Sequence, residues 1–119
     1  MVDVAPERFE ELVAEALDSL PPDLAEHMSN VGLFIQDRPT IAGLLGLYEG
    51  IPLTDRGEYG ALGGHGLPMP DRITLYRLPI CGICHTEDDV VDQVRVTVIH
   101  EVAHHFGIDD DRLDELGWA

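Results

Sequence analysis

The chain has 119 residues, 45% of them apolar, and a formal charge of −16 from 23 acidic side chains against seven arginines and no lysine. That length suits one domain over residues 1–119 with a single core, and the apolar content excludes a disordered tail. So acidic a surface repels phosphate backbones and anionic membranes, so neither nucleic acid nor membrane is an expected partner.

The N-terminal stretch MVDVAPERFEELVAEAL carries acids where a signal peptide has positive charge. Within it, Phe9, Leu12, Val13, Ala16, Leu17 and Leu20 recur at spacings of three and four, which predicts an amphipathic helix over 6–20. Pro6 suits a first helical position, and Pro21-Pro22 stops the run. A short turn, DLAEHM, leads to VGLFIQ (31–36), whose composition predicts a strand closed by Asp37-Arg38-Pro39. The apolar stretches, VGLFI among them, are too short to cross a bilayer, so a cytoplasmic protein is expected.

The stretch LLGLYEGIPL reads as a strand with a turn at Glu49-Gly50. Five glycines and two prolines between 57 and 70 then predict a loop, with His65 inside it. From Arg72 to Leu78 the pattern alternates, with Ile73, Leu75 and the body of Tyr76 set against Arg72, Thr74 and Arg77, as in a strand, here read as an edge strand. Cys81 and Cys84 are too few for a secreted disulfide scaffold. With His85 they match a CxxCH haem pattern and a redox dithiol pattern, but incidental thiols in a loop entering the next helix are the expected reading.

Thr86-Glu87-Asp88-Asp89 has the form of a helix start, with a capping side chain and acids at the positive end of the dipole. Val91, Val94, Val98 and Val102 then share one helical face, although VRVTVI alternates like a strand as well. The spacing of the histidines decides for the helix. In HEVAHHFGIDD (100–110), His100 and His104 stand at i and i+4, one above the other, and present two imidazoles to one metal ion. Glu101 can reach a water on that ion without being a ligand, and act as general base and then acid. Gly107 ends the helix at positive φ and lets Asp110 return as third ligand. Asp109 and Asp111 compete in register, and Asp114 is the next alternative. His105 lies around the helix from the pair, so packing or solvent is its expected environment. A last short helix is expected in DDDRLDELGW.

A bare HExxH arises by chance in roughly a few per thousand chains of this length, and requiring the glycine and aspartate lowers that by about two to three orders of magnitude. The segment resembles the extended zincin signature, with aspartate in place of the commoner third histidine. Together with LLGLYEGIPLTDR and LPMPDRITLYRLPI, in order over residues 31–117, it resembles a family of small bacterial minimal zincins. The resemblance implies an α+β fold: an N-terminal backing helix, a small mixed twisted sheet with an edge strand, and an active-site helix beneath it. It implies a zinc-dependent metallopeptidase that holds a peptide or protein substrate along the edge strand, residues 73–78 by this reading. Metzincins have a methionine turn under the metal, and no methionine occurs after Met69 here; Trp118 is the candidate for that floor. The second lobe of larger zincins is nearly absent, which leaves room for a homodimer partner to complete the cleft. The rival expectation is a zincin-fold binding or regulatory module with little or no peptidase activity.

Overall fold

The computed structural model describes residues 1–29, 31–50 and 71–117. The loop expected over 57–70 with His65, the last three residues of LLGLYEGIPL, and Trp118 lie outside the described residues.

The described residues form a small α+β domain. Helix α1 spans Pro6–Asp18 and α2 spans Pro22–His27, each with proline in its first turn, where the missing N–H costs nothing. Strand β1 is Val31–Gln36, β2 is Gly46–Glu49 and β3 is Asp71–Tyr76. Helices α3 (Arg77–Gly82), α4 (Glu87–His105) and α5 (Asp110–Leu116) complete the order.

The sheet is mixed, in the order β1-β3-β2. β1 runs parallel to β3 with Leu33 opposite Ile73, and β2 runs antiparallel to β3 with Tyr48 opposite Ile73. The edge strand is therefore not 73–78. β3 is hydrogen-bonded on both sides, and residues 77 and 78 have already entered α3. The alternation in RITLY suggests one wet face, yet Ile73, Thr74, Leu75 and Tyr76 are all buried in this central strand. β2 is the edge that faces the long helix.

The core explains the order of layers. Phe9, Leu12, Val13 and Ala16 of α1 pack along α4, which in turn lies under β2 and β3. On α4, Val90, Val94, Val98 and Val102 repeat every four residues and are fully buried, joined by Ile99 and Ala103. The N-terminal helix thus backs α4 from the side away from the sheet. An exposed pair, Arg8 Nη2 to Glu87 Oε1 at 2.9 Å, ties the first turns of α1 and α4.

Helix α3 has no counterpart in the sequence reading. Pro79 lies in its first turn, where proline is tolerated, and its six residues are too few to show a helical period. It carries Cys81 into the core, and Cys84 lies in the turn before α4; both are free and buried. Burial pushes both thiols above their ordinary range, beyond the small opposing pull of Arg77 on Cys81.

Candidate active site

Both ends of α4 are capped by local chemistry. Thr86 accepts from the Asp89 N–H at 3.1 Å, and the Asp89 carboxylate accepts from Thr86 N–H at 3.1 Å and His85 N–H at 3.0 Å. This is the capping box that the sequence indicated. At the other end Gly107 has φ +74, the Gly107 N–H bonds to His104 O at 3.2 Å, and the Ile108 N–H bonds to Ala103 O at 2.8 Å. That double closure is a Schellman motif, with half-buried Ile108 packed back on the core. The chain leaves the helix in one tight turn, and Asp109 then caps α5 by accepting from the Arg112 N–H at 2.9 Å.

This framework places the sequence candidates unevenly. His100 and His104 share one face of α4 with ring centroids 6.1 Å apart. A tetrahedral zinc ion with bonds of about 2.0–2.1 Å holds two imidazole centroids about 5 Å apart, so the pair is of the right chemistry and needs a side-chain rotation to close on one ion. Glu101 is half-buried beside them, and burial raises its carboxyl above the usual carboxylate range despite the opposing pull of His104 and His100. Asp110 is the first residue of α5, three residues past the Gly107 turn, and its side chain lies outside the described residues. Of its register competitors, Asp109 is occupied as the α5 cap, while Asp111 and Asp114 are exposed. Among the described residues no three His, Cys, Asp or Glu side chains converge as a metal cluster.

Two shallow depressions flank the pair. One, about 260 Å³, runs from Leu44 and Leu45 across Thr97 to His100, Glu101 and His104. The other, about 340 Å³, lies against His104, Gly107, Ile108 and Asp109, beside the turn that leads to Asp110. A larger cavity of about 500 Å³, lined by Arg38, Arg77 and Cys81 among others, opens on the far side of the 37–45 segment and contains none of the motif residues.

Sequence reasoning missed the aromatic contacts at the end of α4. The His105 ring stacks on Tyr48 at 4.0 Å and meets Phe106 edge-on at 5.0 Å, and Phe106 in turn lies 5.0 Å from the ring of His27. β2, α4 and α2 are joined there through side chains far apart in sequence. The one available signal was the spacing Thr97, Glu101, His105, every fourth residue on one helical stripe.

Comparison with known proteins agrees with this architecture. A family model described as zincin-like metallopeptidase matches residues 24–118. No curated protein matches the sequence. Among solved structures, a conserved hypothetical protein from Thermus thermophilus is similar with a TM-score of 0.54 and 22% identity, over 87% of this chain and 94% of that one. At that identity the likeness concerns the fold alone. No helix among the described residues is long and apolar enough to cross a membrane.

Proposed function

The chain belongs to the zincin-like metallopeptidase family, and from that premise we propose that it is a zinc-dependent peptidase in which Glu101 is the general base and then acid, and His100, His104 and Asp110 hold the metal. The observation that carries this reading is the half-buried Glu101 beside two adjacent imidazoles, in the depression below the start of β2. A metal scaffold alone has no use for such a carboxylate. When bound, zinc supplies a Lewis acid that polarises a carbonyl and acidifies water.

The chain's own groups do the rest. β2 lies at one edge of the described sheet, on the site's side, and an extended peptide or protein substrate lying along it by strand addition would run past the imidazole pair. Leu44, Leu45 and Val96 offer apolar contact along that edge toward the start of β2. Glu101 accepts a proton from water at its Oε atoms and delivers it to the leaving amine.

A second reading has its own support. The depressions beside the pair are shallow, which supports a zincin-fold binding or regulatory module as the alternative. Metal content by mass spectrometry, and then a peptide-library assay, separates the two. About one zinc per chain is expected in the wild type and none in His104→Ala. Glu101→Gln is expected to retain zinc and lose hydrolysis by at least about a hundredfold. Zinc uptake without any cleavage by the wild type would favour the binding module. Equal cleavage by wild type and Glu101→Gln would remove Glu101 from the mechanism.

A further inference from the structure

Thr97, Glu101 and His105 form one stripe on α4, and β2 runs directly over it. At one end a Cβ on Gly46 would stand 2.8 Å from Thr97 Cγ2 and 3.3 Å from Thr74 O, so only glycine allows the strand so close. At the other end a Cβ on Gly50 would collide with the His105 ring. Four strand residues rise about 13 Å and eight helical residues about 12 Å, so the two contacts keep strand and helix in step. Glu101 lies midway between them.

The ring that meets Gly50 is itself held. His105 stacks on Tyr48 with an interplanar angle of 20°, and its Nε2 stands 3.7 Å from Asp71 Oδ2. Tyr48 Oη donates to that same oxygen at 2.8 Å. The last turn of α4, which carries His104, is thereby fastened to both β2 and β3.

We propose that His105 is a positioning residue, and that with Gly46 and Gly50 it gauges the gap between the edge strand and the active-site helix. By setting that gap it fixes Glu101 and His104 relative to a peptide lying on β2. It touches neither the metal nor the substrate. This inference rests on the peptidase reading, in that the aligned groups are those assigned above. Removing the ring frees the last turn of α4 to rotate, and a methyl group at Gly50 pushes the strand off the ring. Misplacement of reacting groups by about 1 Å can cost about a hundredfold in rate.

The test uses the full chain loaded with cobalt(II) in place of zinc, whose visible absorption reports ligand geometry whether or not any peptide is cleaved. Wild type, His105→Ala, His105→Phe and Gly50→Ala are compared by cobalt spectrum, melting temperature, kcat and KM. His105→Ala and Gly50→Ala are expected to shift the cobalt band and lower kcat about ten- to a hundredfold, with KM within about twofold. His105→Phe, which keeps a ring over Tyr48, is expected to recover most of both signals. A fall in melting temperature alone, with spectrum and kcat unchanged in His105→Ala and Gly50→Ala, would show that the ring merely packs and overturn the proposal. If wild type takes up cobalt but cleaves nothing, the peptidase reading fails, and unchanged spectra in these two variants would still overturn the gauge.

Discussion

Gly107 shows how a single residue links the sequence pattern to the candidate site. Its φ of +74 is a conformation that a side chain with Cβ adopts at a cost of about 1–2 kcal/mol. The Schellman closure built on it fixes the direction in which Ile108, Asp109 and Asp110 leave α4. Gly107→Ala is therefore expected to lower unfolding free energy by about that amount in urea titrations. If Asp110 is the third ligand, the same change weakens zinc binding by more than the loss of stability accounts for. Equal zinc affinity in wild type and Gly107→Ala would argue that the turn does not deliver a ligand. This much was legible from spacing, because a glycine three residues past His104 has a local conformational reason to be there. The depth of Glu101 was not legible. Its burial comes from the 43–46 segment and β2, more than fifty residues earlier in the chain, and no local pattern announces that approach.

Among the elements, the two long helices were readable and the sheet order was not. α1 has a single apolar stripe, and the start of α4 is written in Thr86 and the acids after it. α4 itself is apolar on several sides, since it is enclosed by α1, the sheet and α3, and this is why VRVTVI imitates a strand. Its cap carries weight because the helix is the framework of the site. Thr86→Ala is expected to destabilise the fold by about 0.5–2 kcal/mol, read as a lower denaturation midpoint with unchanged slope. The Asp89 carboxyl is held below the ordinary carboxylate range by the His85 and Thr86 N–H groups, which outweigh its desolvation. A carboxyl lowered in the folded state adds stability that is present above its unfolded value, near 3.9, and is lost as pH falls through the folded one. The Asp89 half of the cap should thus hold at neutral pH and fail only in acid, and an Asp89→Asn penalty that stayed constant down to about pH 2 would contradict this. The central place of β3 had no such local sign. Thr74 looks like a solvent-facing residue in the alternation, but β3 is the central strand between β1 and β2, and Thr74 is buried there.

At the scale of the whole molecule, 23 carboxylates against seven guanidiniums leave −16 charges on a chain of 119 residues, and the described ion pairs are mostly exposed. Such a surface repels itself, which opposes the compact state. Raising monovalent salt from about 10 to 150 mM shortens the screening length from about 30 to about 8 Å, so the metal-free protein is expected to melt at a higher temperature in the saltier buffer. A zinc ion held by the imidazole pair would stabilise by a different route. A ligand that binds only the folded state adds about 2.7 kcal/mol at a hundred times its dissociation constant, whatever the background screening. The two contributions separate in His104→Ala, which keeps every acidic residue. That variant should retain the full salt-induced rise and lose the rise produced by micromolar zinc. If zinc raised both proteins equally, the ion would be acting on the acidic surface at large, and the imidazole pair would not be its site. If salt left the melting temperature of the apo protein flat, self-repulsion would not be a significant term in this fold.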